Sequence, residues 1–565
     1  MKLRKTLSII IAACLLVGVI AGCSGGSGAN PGGNPGSSPG SSPGSSPGSS
    51  PGSSPGSSPG SSPGSSPGSS PGSSANVSTP SRDTVIVTQN EEPTVFISID
   101  GSMPTTLMKD CIVLYNIYDT LMRMESDGSI TPRLATSFTV SGDGLEYTVK
   151  LRDDVYFHNG YKMTSADVEF TFKTLEELYP SDFSIAFNNL VRVEAIDEYT
   201  VKFILSSPYV NFDSCFSGRT GTIVSKQYFE EVGGSEGYNL APIGTGAYIF
   251  QSRVSGESVT LVANEDYWNG APQIKTIIIK PIANVSTQFL SLENGEVDVI
   301  VGADAASCQQ IVSPNLKWDY ISSSNRSIIQ FVARPPSPCA DKNLRKAIQC
   351  AINKDEVLLG AVEGYGVILD YDSVPIWRGA PDPAAINLVP HDINKAKEYL
   401  AASSYKGETL IIMAISGTVQ EKAAQIIQGQ LLAIGIDLQI MSVDASTRLT
   451  LARTGDGIDM QSYLYGSPKN DISGYSFPYA LNVNYAPFVD QAFWEETDRL
   501  TTASLVALDP AVSRRHVADL VNLIQEEATL IPLFSPANFA AWNADLSGVA
   551  PHPVGIMYYI EDWSW

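Results

Sequence analysis

The chain has 565 residues, with 36 Lys and Arg against 59 Asp and Glu, a formal net charge of −23 and 43% apolar residues. So acidic a protein is a poor nucleic-acid binder, and it has no basic run beyond its first few residues. Apolar content is that of a globular protein, and nothing after Cys23 approaches the roughly 18 consecutive apolar residues of a membrane span.

The chain opens with Lys2, Arg4 and Lys5, then an apolar run from Leu7 to Ile20, then Ala21-Gly22-Cys23. The run is too short for a membrane span and suits a signal-peptide core. Small residues leading directly into a cysteine resemble the bacterial lipoprotein signal, which implies removal of residues 1–22 and acylation of Cys23. Ten copies of Pro-Gly-Ser-Ser follow, from Pro35 to Ser74. Ser and Gly keep this segment flexible, and Pro at every fourth position blocks helix and sheet. Residues 23–82 therefore read as a tether, a coil spanning about 40 Å.

Roughly 480 residues remain, enough for two or three domains. Five cysteines stay with them: Cys111, Cys215, Cys308, Cys339 and Cys350. No CxxC or zinc-ligand spacing is present, so they read as small buried hydrophobes, with a single Cys339–Cys350 disulfide left open.

In chain order, Leu145, Tyr147, Val149 and Leu151 alternate with polar residues between the turns Asp143-Gly144 and Asn159-Gly160, which predicts a hairpin. Thr164 and Asp167 have capping-box spacing, and Val168, Phe172 and Leu175 form a helical stripe behind them. The run from Asp341 to Leu358 reads as one helix, with Leu344, Ile348, Ala351 and Ile352 on a face. Asp392 caps another, with Ala396, Tyr399 and Leu400 as its stripe. A third spans Val419 to Ile434 and stops at Gly435, and Ile436, Leu438 and Ile440 then alternate as a strand. A last helix, Val512 to Ala528, precedes "TLIPLFSP". This alternation is the grammar of an α/β protein.

No catalytic constellation stands out. His158, His391, His516 and His552 are scattered, with no HExxH, GxSxG, P-loop or GxGxxG. Gly455–Asp459, "GDGID", lacks the alternating ligands of a calcium loop and reads as a surface turn. No enzymatic activity, metal or cofactor is expected.

Five blocks in order carry a resemblance: Ile117–Phe172, "APIGTGAYIF", "NEDYWNGAPQIKTIIIKPI", "LENGEVDVI" and "LRKAIQCAINKDEVLLGAVEGYG", with "EEATLIPLF" near the end. They are similar to the oligopeptide-binding class of ABC-transporter solute-binding proteins (family 5). The resemblance implies an α/β, two-lobed periplasmic-binding-protein-like fold (class II, cluster C) with a β-rich domain inserted in the first lobe. It places lobe I in residues 83–117, 223–333 and 531–565, the inserted domain in 118–222 and lobe II in 334–530. It further implies a monomeric receptor, lipid-anchored on the outer face of the cell membrane, that closes over a solute and delivers it to an ABC permease. The family blocks read as structural, with Tyr267 and Trp268 packing at a turn and Gly244 and Gly246 permitting unusual backbone angles.

The expected ligand is an oligopeptide, with an oligosaccharide as the alternative and a wall-attached enzyme or adhesin as the rival class. Peptide-binding members hold the ligand's amino group with an aspartate shortly after an aromatic. Aligning that aromatic with Tyr465 puts Pro468 at the aspartate position, with Asp471 three residues on. The ligand-binding residues expected between the lobes are Tyr371, Trp377, Tyr463, Tyr465, Ser467 and Asp471, with Arg219 as a further wall. The many aromatics here are also what sugar stacking would require.

Overall fold

The computed structural model describes residues 82–97, 108–178, 187, 189–374, 377–466, 489, 491–555 and 557–565. The chain divides into Met1–Val77 and Ser78–Trp565, and the described residues all fall in the second unit. The signal segment, Cys23 and the repeat lie outside them, as do Ser467 and Asp471.

A four-stranded antiparallel sheet forms from a short piece of chain, in the order Ala135–Val140, Glu146–Leu151, Thr200–Leu205, Leu190–Asp197. The alternation read in the sequence sets its two faces. Tyr147, Val149 and Leu151 are buried while Glu146 and Lys150 are exposed. Gly144 takes a φ of 71°, which its turn requires and a Cβ would strain. The helix Ser165–Leu178 packs across the sheet through Val168, Phe172 and Leu175. Phe172 meets Phe187, Phe203 and Phe216 edge to face at 5.1–5.7 Å. At the helix start, the Asp167 carboxylate accepts from the Thr164 N–H at 2.9 Å and from Lys226 N–H at 2.9 Å, tying the cap to the next helix.

Among the described residues the second sheet has twelve strands. Ten lie in the order Leu438–Val443, Leu410–Ile415, Met460–Gly466, Asn325–Phe331, Leu530–Asn543, Val299–Ala303, Thr84–Gln89, Thr276–Pro281, Ser258–Ala263, Tyr248–Val254. Leu316–Ser322 and Gly366–Ile368 also pair with Leu530–Asn543. That strand serves both halves. Ile531 and Phe534 lie opposite Ile329 and Ser327, and Ala540 and Trp542 lie opposite Val301 and Val299. Each half has its own core. Val85, Val87, Ile277, Ile279 and Val299 belong to one, and Ile329, Phe331, Ile348, Ile412, Ile427 and Leu533 to the other.

The helices follow the expected stripes with one correction. The run from Asp341 to Leu358 is two helices, Lys342–Ala351 and Lys354–Val362. Ile352 ends the first and Asn353 caps the second, accepting from Asp355 N–H at 3.1 Å and Glu356 N–H at 3.3 Å. Asp392 caps Ile393–Ala402, Val419–Leu432 ends before Gly435 with φ 89°, and the last helix is Pro510–Glu527, capped by Asp509. All five cysteines are buried, and Cys339 and Cys350 are separate thiols rather than a disulfide.

Three of the sequence blocks converge on one buried carboxylate, Asp119. Arg133 Nε pairs with it at 2.8 Å, Tyr267 donates its hydroxyl at 3.0 Å, Trp268 its indole N–H at 2.9 Å and Thr245 its hydroxyl at 3.2 Å. Gly244 and Gly246 do not adopt positive φ, contrary to expectation. They are needed for closeness, because a Cβ on either would collide with the backbone at Ile117.

Candidate functional site

The strand Asn325–Phe331 runs antiparallel to Met460–Gly466 with Arg326 opposite Tyr465 and Ile328 opposite Tyr463. Residues directly opposite in such a pair point to the same face. Arg326, Tyr463 and Tyr465 therefore share one side of the sheet, away from the core of Ile329 and Phe331. The loop after Gly366–Ile368 lays Tyr371, Asp372 and Trp377 over that side. Tyr371, Trp377, Tyr463 and Tyr465 thus come together in a cluster that also contains Val374 and Phe493.

Ionic groups organise this cluster. Arg326 is fully buried, and its Nε lies 2.8 Å from Asp372 Oδ1, whose side chain is 2% exposed. The Arg326 guanidinium sits 4.8 Å from the Trp377 ring centre and 5.1 Å from that of Tyr465. Burial raises the Asp372 carboxyl, and the Arg326 and Lys354 cations oppose the rise. Lys354 donates to the Leu369 carbonyl at 2.7 Å, and burial lowers its ammonium to about 8. Trp377 and Tyr463 are only 2% and 4% exposed, and the Trp377 indole N–H donates to Ser324 O at 3.1 Å. Tyr463 and Tyr465 meet edge to face at 6.3 Å, and the guanidinium of Arg448 lies 4.5 Å over the Tyr463 ring.

Arg219 does not join this group. It starts a short 3-10 turn, Arg219–Gly221, half-buried, and its charge acts on Asp110, Cys111 and Tyr115. Two cavities lie beside other residues than those expected. One of about 470 Å³ is lined by Arg123, Arg133, Arg152 and Trp268, next to the Asp119 network. The other, about 240 Å³, lies between Val210 and Asn211 on one side and Arg378, Pro510 and Ser513 on the other. Beside it Arg378 pairs with Asp213 at 2.8 Å, and Val210 N–H donates to Leu505 O at 2.9 Å. Asp459 of the "GDGID" stretch accepts from Ser337 Oγ at 2.6 Å and from Ile411 N–H at 2.8 Å, a structural role. Among the described residues no group of His, Cys, Asp and Glu could hold a metal ion, and no helix is long and apolar enough to cross a membrane.

Residues 129–486 match the family model for bacterial extracellular solute-binding proteins, family 5. The chain belongs to this family. It is a solute-binding receptor of the ABC-importer class and not an enzyme. A glutathione-binding protein of Escherichia coli, GsiB, is 25% identical over 462 residues, covering 77% of this chain and 86% of the relative. The solute-binding protein CtaP of Listeria monocytogenes superposes with a TM-score of 0.75 at 23% identity, covering 86% of this chain and 99% of that one. The oligopeptide-binding protein AppA of Bacillus subtilis, solved with a nonapeptide, gives 0.66 at 21% identity, over 85% of this chain and 98% of that one. These likenesses bear out the two-lobed α/β fold, and family 5 receptors work outside the cytoplasm.

Arg326, Asp372, Arg448 and Lys354 were missed by sequence reasoning. A signal existed for two of them. Arg326 lies two residues before Ile328 on the face the strand alternation gives to it, and Asp372 falls between the two aromatics of "YDSVPIW".

Proposed function

We propose that this receptor binds a peptide, closes its two lobes over it and hands it to the permease of its importer while tethered to the outer face of the membrane through acylated Cys23. The observation that carries the peptide reading is how the aromatic cluster is used. The rings of Trp377, Tyr463 and Tyr465 lie against the guanidinium groups of Arg326 and Arg448. Sugar stacking needs open ring faces, whereas charged groups beside aromatic walls suit a zwitterionic chain. Relatives named for glutathione and solved with a nonapeptide support the same reading. Ser467 and Asp471 remain part of the proposed site, and Arg219 a further wall.

The proposal includes the lobe limits near residues 334 and 530, with a monomer as the working unit. The changeover of partners along Leu530–Asn543 supports them. Closure follows from binding, because contacts from the second lobe exist only in the closed state, and a solute that makes them selects it.

A thermal-shift screen of short peptides, glutathione and oligosaccharides tests the ligand class. A peptide present at about 100 times its Kd stabilises the protein by about 2.7 kcal/mol. A shift with oligosaccharides alone overturns the peptide reading. For the tether, mass spectrometry of the mature N-terminal peptide should find Cys23 first in the chain and acylated; an unmodified Cys23 removes the anchor.

A further inference from the structure

The small antiparallel sheet is fixed to one half of the molecule and only touches the other. Tyr147, Val149 and Phe203 from its strands share a continuous core with Val85, Ile277 and Val299 of the large sheet. The buried Asp119 network ties the same junction, through Arg133, Tyr267 and Trp268. On the far side, residues 206–216 leave the sheet and meet Arg378 and the helices Gln491–Val506 and Pro510–Glu527. There Val210 N–H donates to Leu505 O at 2.9 Å, and Arg378 Nη1 pairs with Asp213 Oδ1 at 2.8 Å. Val210 packs against the cluster of Val374, Trp377 and Val517, and Leu508 lies so close over Gly144 that a Cβ there would strike it.

This seam is built differently from the junction. It encloses the cavity of about 240 Å³, and Asn211, which lines that cavity, has its Nδ2 buried without a hydrogen-bond partner among the described residues. The side chains of Arg378 and Asp213 stay 31% and 30% exposed. A gap, a half-hydrated ion pair and an unmatched amide are marks of a contact between domains that parts and reforms, because returning to water costs these groups little and gives the amide a partner. Arg378 also follows directly on Trp377, so the seam and the aromatic cluster are carried by one loop.

We propose that Asp213 and Arg378 are the two sides of a clasp through which the small sheet holds the closed receptor shut, whatever the solute. This rests on the closure of the two halves described above and deepens it by giving the small sheet a part in it. The sheet moves with the half that shares its core, and the clasp supplies a share of the free energy of closure that the solute then need not supply.

Hydrogen exchange of the unliganded full chain, read by mass spectrometry at the peptide holding Val210, is the test, since the Val210 amide is bonded across the seam. In the wild type it should exchange through an opening short of global unfolding. Asp213→Arg and Arg378→Asp should each speed that exchange about fivefold or more, because attraction between two partly exposed charges becomes repulsion. The double reversal, Asp213→Arg with Arg378→Asp, should bring back the wild-type rate. Peptides covering Glu146–Leu151 and Thr200–Leu205 should exchange as in the wild type throughout. Sub-global exchange at Val210 that is equal in all four proteins overturns the clasp and leaves closure standing. Faster exchange across the whole small sheet, or no recovery in the double reversal, makes the pair a contact of the fold and also overturns the clasp. Exchange at Val210 only at the rate of global unfolding, in every protein, means that the halves do not part, and removes closure and clasp together.

Discussion

Two histidines are held neutral by burial, and backbone contacts set their tautomer. Gly244 N–H donates to His158 Nδ1 at 3.2 Å, so Nε2 carries the proton and donates to Gly246 O at 3.0 Å. Val554 N–H donates to His552 Nδ1 at 3.1 Å, which sets the same tautomer. Burial lowers both imidazoles from 6.5 to about 4. The unfolded chain takes up these protons first. Their contribution to stability is therefore complete above about pH 6.5 and drains away as pH falls towards 4, by up to about 3 kcal/mol for each. Buried carboxyls such as Asp110, Asp298 and Glu561 are raised by burial and act in the opposite sense, gaining as pH falls. A comparison of His158→Gln with the wild type separates the two. Urea midpoints measured from pH 7 to 4.5 should fall less steeply in the variant, and parallel profiles would mean that His158 is not the titrating group.

The break at Asn353 shows what a single residue does to an element. An apolar stripe runs from Leu344 through Ile352 and Val357, and periodicity alone continues the helix across it. Asn353 turns the chain because its side chain offers the backbone N–H groups of Asp355 and Glu356 an acceptor that a helix interior would not. Asn353→Ala should cost about 1 kcal/mol in chemical denaturation. Circular dichroism should stay close to wild type, since Gln430 and the core still hold both helices. No loss of stability would show that the cap is redundant with the Gln430 contacts to Asn353 at 3.2 Å. The capping signature was in fact legible, as Asn353 followed by Glu356, but the stripe outweighed it. Much else was legible for the same reason that it folds locally. The hairpin at Glu146–Leu151, the Asp392 cap and the stop at Gly435 depend on neighbours in sequence. The Arg326–Asp372 pair and the convergence on Asp119 depend on register between distant strands, which no spacing announces. Tyr371, Trp377, Tyr463 and Tyr465 were reached through the resemblance, and their burial as a wall around two arginines was not.

At the scale of the whole molecule, the 3-10 turn Phe212–Phe216 that follows the small antiparallel sheet meets Arg378 through Asp213, while one strand is shared by both halves of the large sheet. Leu530–Asn543 fills a central place in it, and it comes from the last part of the chain. A ribosome delivers the polypeptide from its N-terminus, so this strand appears after the other strands of the sheet it joins. Until it does, Asn325–Phe331 and Val299–Ala303 each lack a neighbour, and neither core is closed. Domains that fold as units during synthesis would begin early in a chain whose halves were independent. Here both halves wait for the same segment. A nascent chain in that condition stays short of its native state for most of its elongation, and an unfolded chain is what a translocation channel accepts. The shared strand thus makes the order of manufacture part of the design: passage across the membrane comes first, and completion of the receptor follows on the far side.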